Sequence, residues 1–91
     1  MVLSFDAAKN EKNIEVHGIA LSEAEHLDWD AMIAAVDTRK DYGETRLVGY
    51  APLGERLHCV VFVDRADGRR IISLRRANSR EVDRYEQSQA D

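Results

Sequence analysis

The chain has 91 residues, of which 44% are hydrophobic and 33% are charged, and its net charge is −4. This balance is typical of a single small folded domain spanning residues 1–91 and not of a disordered chain. There is no apolar run of about 18 residues and no signal-peptide pattern, so we expect a cytoplasmic protein without membrane contact. The single cysteine, Cys59, excludes an internal disulfide. No Cys and His spacing resembles a zinc site, so we expect no metal and no cofactor.

Charge is distributed unevenly along the chain. Residues 1–55 carry five Lys or Arg and eleven Asp or Glu, whereas residues 56–86 carry eight Arg and five Asp or Glu. Every cation after position 40 is arginine, the residue that binds phosphates and carboxylates through two parallel hydrogen bonds. This pattern indicates a basic working face joined to an acidic body.

The first half of the chain predicts one strand and two helices. Val2–Phe5 fits a short edge strand, and a helix follows from Ala7 to His17 between an N-cap at Asp6 and a C-terminal Gly18. A thin buried stripe is expected on this helix from its apolar residues, which are Ala7, Ile14 and Val16. The capping box Ser22-Glu23-Ala24-Glu25 predicts a second helix that begins near position 23.

The second half predicts strands and a final helix. The apolar run near residues 32–38 favours a strand, although a helix stays open because alanine is neutral on this point. Clearer strands are predicted at Glu44–Ala51, Arg56–Arg65 and Arg70–Arg76, with turns at 52–55 and 66–69 between them. The middle strand of these three is apolar on both faces, which predicts a central position. Asn78 and Glu81 form a capping box for a helix from Ser79 to about Gln87.

The element order β-α-α-β-β-β-β-α predicts an α+β fold. We expect a small antiparallel sheet of three to four strands plus the short N-terminal strand. Two N-terminal helices should cover one face of the sheet, and the C-terminal helix should pack at its edge.

The stretch from Arg70 to Glu81 carries the strongest functional signal. Arg75 and Arg76 lie where the last strand gives way to the last helix, beside a helix N-terminus that attracts anions. They are either solvated surface arginines or phosphate ligands, and strand alternation places them on opposite faces. Arg80 lies in the first turn of the helix, where a cation opposes the helix dipole unless an anionic partner is present.

Arginines with nearby carboxylates and tyrosines can support phosphodiester chemistry in RNA. Arginine stabilises charge on the scissile phosphate, and a carboxylate or histidine can accept the proton of the ribose 2′-hydroxyl. Glu44 and Arg46 share one face of their strand, either as a local ion pair or as a proton acceptor beside a phosphate ligand. Tyr85 is either a packing anchor or a substrate contact. The three histidines lie on different elements and predict no shared site: His17, His26 and His58.

Short segments along nearly the whole chain resemble the BrnT toxin family in order and spacing. The most specific is Arg70-Ile71-Ile72-Ser73 with Arg75, Ala77, Arg80-Glu81 and Tyr85-Glu86. The others are Phe5-Asp6 with Lys9 and Asn13, His17-Gly18 before Glu23-Ala24, Glu44-Thr45-Arg46 before Gly49, and Gly54-Glu55-Arg56-Leu57 before Val60-Val61-Phe62. The chain departs from the family at three places. A Trp and a Pro that are common in the family are missing near Asp6, Val16 stands where a basic residue is common, and Asp30-Ala31 stands where Asp-Pro is frequent.

The resemblance implies a RelE-like fold and a metal-independent endoribonuclease that blocks translation, the toxin half of a bacterial type II toxin–antitoxin pair. It also implies a BrnA-type antitoxin, a ribbon-helix-helix protein that masks the toxin and binds operator DNA, so the toxin meets that DNA only through its antitoxin.

Within this reading we assign catalytic roles to four residues. Arg75 and Arg46 bind the phosphate and stabilise the transition state, Arg65 supports them, and Glu44 accepts the proton. Further contacts with the RNA substrate are expected from Arg70, Arg76, Arg80 and Tyr85. The alternative is a catalytically weak or inactive homologue that acts as a corepressor with its antitoxin, which the net negative charge favours.

Overall fold

A five-stranded mixed sheet forms the centre of the molecule in the computed structural model, which describes residues 1–90. The strands are β1 (Leu3–Phe5), β2 (Ile33–Val36), β3 (Leu47–Leu53), β4 (Arg56–Arg65) and β5 (Gly68–Arg76). The helices are α1 (Ala7–His17) and α2 (Ser79–Gln89), with 3₁₀ helices at Leu21–His26 and Trp29–Ala31. Of these helices, none is both long and apolar enough to cross a bilayer.

The strands lie side by side in the order β1-β5-β4-β3-β2. The α+β class and the antiparallel meander of β2 to β5 are confirmed. The predicted antiparallel arrangement does not extend to the N-terminal strand, because β1 pairs with β5 in parallel, with Phe5 opposite Ile71. Gly68 makes this pairing possible. Its φ is +135°, and a Cβ atom there would collide with the carbonyl oxygen of Val2, which accepts a hydrogen bond from the Arg69 N–H.

The hydrophobic core lies on one face of the sheet, beneath α1 and the 3₁₀ helices. β4 is the central strand, as its apolar character predicted, and its Val60 and Phe62 are buried in this core. Trp29 packs edge-on against Phe62 with ring centroids 5.3 Å apart, and its Nε1 donates to the carbonyl oxygen of Ala24 at 2.9 Å. The indole therefore acts as a core anchor with its polar atom satisfied.

The segment after α1 is a 3₁₀ helix, so the prediction of a second α-helix beginning near position 23 is wrong. Leu21, Ala24 and Leu27 are all buried, and their spacing of three matches the three residues per turn of a 3₁₀ helix. The N-cap is Ala20 and not Ser22, and the Leu21 N–H is satisfied from α1 by Asn10 Oδ1 at 2.8 Å.

The helix α1 docks through a polar side chain. Its caps at Asp6 and Gly18 are as predicted, but Ile14 and Val16 are exposed, so the predicted apolar stripe is wrong. Asn13 is buried instead, and its amide group bonds both the N–H and the carbonyl of Leu74 at 3.1 and 2.8 Å. Since β1 pairs with β5 only as far as Ile71, this amide satisfies the edge of β5 beyond the end of β1.

A bulge in β5 sets the direction of its side chains. Ser73 pairs with Val61 and Ile71 pairs with Phe62, so Ile72 has no partner on β4. The bulge lets Ile71 and Leu74 both enter the core while Ser73 and Arg75 face the opposite side of the sheet. At the end of β5, Asn78 and Glu81 form the predicted capping box of α2.

Candidate functional site

An open cavity of about 420 Å³ lies on the face of the sheet that the core does not occupy. Residues of β3, β4 and β5 form its floor, and its walls come from the loop after β2 and from the start of α2. Its polar lining consists of Asp37, Thr38, Arg39, Tyr50, Ser73, Arg75 and Glu81. We call this the open-face cavity. It brings together two arginines, two carboxylates and a phenol from segments that are distant in the sequence.

Arg75 is held in this cavity by a bidentate ion pair with Glu81. Its Nη1 donates to Glu81 Oε1 at 2.8 Å and its Nη2 donates to Oε2 at 2.9 Å. Nη1 also donates to the carbonyl oxygen of Arg76 at 3.1 Å. A guanidinium has five N–H groups in one plane, so these bonds leave Nε–H and one N–H of Nη2. Both lie on the same edge of the group, which is the edge that can grip a phosphate.

Glu81 connects Arg75 to the rest of the site. Besides Arg75, its carboxylate accepts the Asn78 N–H and the Tyr50 hydroxyl, each at 2.9 Å, and the residue is only 7% exposed. The hydrogen bonds from Arg75 are the main cause that lowers the pKa of Glu81 from 4.5 to about 2, against the opposing effect of burial. Glu81 therefore stays ionised and fixes the position of the Arg75 guanidinium.

Tyr50 and Cys59 lie beside this pair on the cavity floor. Burial, together with the adjacent Glu81 carboxylate, raises the pKa of Tyr50 to about 12, so its hydroxyl keeps its proton. Burial also raises the pKa of the Cys59 thiol, which is 3% exposed. Both groups are neutral at physiological pH, so the charged groups of the cavity are the two arginines and the two carboxylates.

A second ion pair forms the opposite wall. Arg39 donates from Nε and Nη2 to the two oxygens of Asp37 at 2.9 and 2.8 Å, and these bonds lower the pKa of the carboxyl well below its usual range. Tyr42 donates to Asp37 at 3.1 Å, and the guanidinium of Arg46 lies 4.0 Å from the Tyr42 ring centroid. Arg46 is thus linked to the cavity wall through Tyr42. Its Nε is buried without a hydrogen-bond partner among residues 1–90.

The predicted catalytic residues Glu44 and Arg65 lie apart from Arg75. They pair with each other, with Arg65 Nη2 at 3.1 Å from Glu44 Oε1, and both side chains are more than one-third exposed. Cys59 is the partner of Arg75 on β4, and Arg65 lies six positions further along that strand. At about 3.3 Å per residue the two sites are roughly 20 Å apart along the strand. The interpretation of Glu44 and Arg46 as a local ion pair is therefore wrong, because Glu44 pairs with Arg65 instead.

The predicted substrate contacts are scattered over the molecule. Arg76 lines a cavity on the opposite face from Arg75, as strand alternation predicted. Arg70 pairs with Val63 across β4, Arg80 is exposed in the first turn of α2, and Tyr85 donates to the carbonyl oxygen of Ala31 at 2.7 Å. This last bond supports the interpretation of Tyr85 as a packing anchor. The roles of all four in RNA binding stay predictions.

Sequence reasoning missed four residues of the cavity as site residues, namely Asp37, Arg39, Tyr50 and Glu81. Glu81 had a sequence signal, but its place in a capping box was a sufficient explanation by itself. Tyr50 shares the face of β3 that was assigned to Arg46, so alternation could have included it. Asp37 and Arg39 lie in the loop after β2. No local sequence pattern indicates that this loop approaches β5.

Within residues 1–90, no three His, Cys, Asp or Glu side chains lie close enough to form a candidate metal site. What the open-face cavity offers chemically is a fixed guanidinium with a free edge, beside a second guanidinium on the facing wall. Such groups bind phosphate oxygens and stabilise negative charge that develops on them.

Comparison with known proteins identifies the family of the chain. A search of curated protein sequences finds no significant match. A family model described as the ribonuclease toxin BrnT of a type II toxin–antitoxin system matches residues 5–81. The match covers most of the chain, from β1 to the glutamate that holds Arg75. The chain therefore belongs to the BrnT family of ribonuclease toxins of type II toxin–antitoxin systems.

Proposed function

We propose that the protein is a metal-independent endoribonuclease whose active site is the open-face cavity. The observation that carries this proposal is the state of Arg75. Glu81 occupies one edge of its guanidinium and holds it in place, while the edge formed by Nε and Nη2 is left for a ligand. An arginine fixed in this way is preorganised to receive a phosphate without first losing the freedom of its own side chain.

The reaction we propose is attack by a ribose 2′-hydroxyl on the adjacent phosphorus atom. The 2′-hydroxyl loses its proton as the new bond forms, the bond to the 5′-oxygen breaks, and that oxygen takes up a proton, so the products are a 2′,3′-cyclic phosphate and a 5′-hydroxyl end. Because the RNA supplies its own nucleophile, the protein needs to bind the phosphate and stabilise charge on its oxygens, a role that we give to Arg75. We give the binding of a neighbouring phosphate of the same strand to Arg39, on the facing wall, and to Arg46, whose guanidinium lies over the Tyr42 ring.

The biological setting that we propose follows from the family. Cleavage of cellular RNA would block translation, and an antitoxin encoded beside the toxin would neutralise it. We propose a BrnA-type antitoxin with a ribbon-helix-helix domain, through which the complex binds operator DNA. Its acidic or apolar segments would have to cover Arg75 to prevent RNA binding.

The test is cleavage of a labelled oligoribonucleotide by the purified chain in EDTA. We expect cleavage with cyclic phosphate ends, no cleavage of DNA of the same sequence, and a loss of at least 100-fold in Arg75→Ala. Arg84→Ala is the matched control, since Arg84 lies on α2 outside the open-face cavity and its loss changes the net charge equally. Equal cleavage by Arg75→Ala and Arg84→Ala would refute the site, and a requirement for divalent cations would refute the mechanism.

One observation favours a second candidate, a catalytically inactive toxin that serves as a corepressor. Both arginines of the cavity are already neutralised by the buried carboxylates of Glu81 and Asp37. Expression of the chain alone in a bacterium separates the two functions. Growth arrest that the neighbouring gene relieves supports the ribonuclease, whereas harmless expression with retained complex formation supports the corepressor.

A further inference from the structure

A second cavity, of about 430 Å³, lies on the core side of the sheet at the end where β4 begins and β5 finishes. Its polar lining consists of Arg56, His58, Arg76 and Glu23. We call it the His58 cavity. His58 and Arg76 are direct partners across β4 and β5, and the bond from the Ala77 N–H to the Leu57 carbonyl continues this pairing beyond Arg76. The position of Arg76 is therefore set by the sheet and not by a flexible loop.

The two arginines of the His58 cavity have no carboxylate partner within residues 1–90. The arginines that form ion pairs are Arg39, Arg65, Arg69 and Arg75. Glu23 is the single carboxylate in the lining, and it makes no ion pair with either Arg56 or Arg76. The cavity thus carries a net positive charge, and its guanidiniums keep all of their donors for an anion.

His58 adds a hydrogen-bond acceptor of defined orientation. The ring is 5% exposed, and its Nδ1 lies 2.9 Å from the carbonyl oxygen of Arg56. A carbonyl oxygen can only accept, so Nδ1 carries the hydrogen and Nε2 of the neutral ring presents a lone pair. Nε2 makes no hydrogen bond to any residue from 1 to 90, yet it is not sealed from solvent. An acceptor held in this way suits a ligand with a hydroxyl donor.

We propose that the His58 cavity binds one nucleotide of the RNA substrate, in addition to the phosphate at Arg75. Arg56 and Arg76 bind its backbone phosphate, and Nε2 of His58 accepts a hydrogen bond from its ribose 2′-hydroxyl. This hydroxyl is the group that distinguishes RNA from DNA, so the cavity contributes to the choice of nucleic acid. Arg75 and Arg76 are adjacent on β5 and face opposite sides, so one strand that passes around the end of β5 meets both cavities. The inference rests on the proposed function for the identity of the ligand.

The phosphate contact is tested with the full-length chain and a fluorescein-labelled single-stranded DNA, which has no 2′-hydroxyl and is not cleaved. Neutralising one phosphate contact lowers the salt dependence of binding by about 0.7 in a plot of log K against log salt concentration. We expect this reduction, and an affinity loss of about tenfold, in Arg56→Gln and Arg76→Gln. Arg84→Gln removes the same charge outside the cavity and should retain the wild-type slope.

The hydroxyl contact is tested in the Arg75→Ala background, where cleavage is slowed at least 100-fold, with an RNA probe and a 2′-fluoro RNA probe of the same sequence. The fluorine keeps the ribose shape but cannot donate. We expect the RNA probe to bind about fivefold more tightly than the 2′-fluoro RNA probe, because one additional hydrogen bond contributes about this much to affinity. His58→Phe should abolish this preference, whereas His58→Gln, which keeps an acceptor, should restore part of it. Circular dichroism checks that each variant folds.

The outcomes separate this inference from the proposed function. Equal binding of RNA and 2′-fluoro RNA by the His58-containing chain overturns the hydroxyl contact, even if no His58 variant folds. Wild-type slopes in both Arg56→Gln and Arg76→Gln overturn the phosphate contact. Failure of the wild-type chain to cleave RNA would overturn the proposed function instead, and it leaves both binding measurements interpretable.

Discussion

Arg75 and Arg76 are neighbours in the sequence, yet they lie on opposite faces of the sheet, Arg75 in a cavity whose charges are balanced and Arg76 in a cavity with a net positive charge. Arg75 shares the open-face cavity with Glu81, and Arg39 shares it with Asp37, so that each guanidinium there is paired. Arg76 shares the His58 cavity with an unpaired Arg56. The ion pairs fix the guanidiniums of the open-face cavity but neutralise their charge. The guanidiniums of the His58 cavity keep their positive charge, but no ion pair fixes their position. We infer that RNA cleavage depends on the paired and fixed arginine of the open-face cavity, whereas attraction of RNA depends on the net positive charge of the His58 cavity.

The largest expected effect is a difference between the two adjacent arginines. Arg75→Ala should lower the rate of RNA cleavage by 100-fold to 1,000-fold, because the transition state loses its fixed charge. Arg76→Ala should weaken RNA binding by about tenfold and leave the rate at saturating RNA nearly unchanged. Single-turnover kinetics over a range of protein concentrations would separate the two effects. Equal losses of rate in both variants would contradict the division of roles.

Glu81→Gln tests whether pairing is what makes Arg75 effective. The amide keeps the size of the side chain but accepts only one bond from the guanidinium and leaves Arg75 without its counter-charge. We expect a loss of about 3 kcal/mol in unfolding free energy, at the low end for a buried pair because Arg75 is partly exposed. We also expect cleavage to fall by at least tenfold at saturating RNA. Urea denaturation and cleavage assays measure the two, and a stable chain with full activity would rule out a positioning role.

The lowered pKa of Glu81 predicts a dependence of stability on acid. A carboxyl whose pKa is lower in the folded state stabilises the fold fully above its ordinary value of 4.5, and this stabilisation disappears as the pH falls towards 2. The pKa difference corresponds to about 3 kcal/mol. Urea denaturation of the wild-type chain and of Glu81→Gln between pH 6 and pH 2 should show their stabilities converging over this window. Asp37 retains its own acid dependence in both chains, so it does not affect the difference. Parallel curves would contradict the assignment.

The smallest expected effect is that of Tyr50→Phe, which removes the hydroxyl that donates to Glu81 at 2.9 Å. Glu81 keeps its bonds from Arg75 and Asn78, so we expect a loss of about 1 kcal/mol in unfolding free energy. Cleavage should fall only a few-fold, since Arg75 remains paired. A loss of cleavage as large as that expected for Glu81→Gln would show that Tyr50 takes a direct part in the reaction.

Elements whose signals are local were predictable from the sequence. The caps at Asp6, Gly18 and Asn78 were predicted because a cap depends on residues within one helical turn. The central position of β4 followed from apolar residues on both of its faces. The 3₁₀ helix at Leu21–His26 was missed because Ser22 and Glu25 matched a capping box, while tertiary burial of Leu21 set a different spacing.

The candidate site was predictable only in part, since its contacts join distant segments. Its position at the end of a strand left Arg75 as either a solvated arginine or a phosphate ligand, and the resemblance to the BrnT family favoured the phosphate ligand. Its counter-ion Glu81 also meets Tyr50, 31 residues away, and such a contact depends on how α2 crosses the sheet. Likewise, the amide of Asn13 bonds to Leu74, 61 residues away, which no helical pattern in α1 indicates.

The sequence by itself determined the α+β class, both ends of α1, the start of α2 and the opposite directions of Arg75 and Arg76. Each of these depends on backbone periodicity or on capping within a few residues. Only the tertiary structure decided which carboxylate each arginine meets, so that Glu44 pairs with Arg65, Asp37 with Arg39 and Glu81 with Arg75. The physical reason is that alternation specifies the face of a strand but not its register or its neighbours, whereas an ion pair requires contact within about 4 Å.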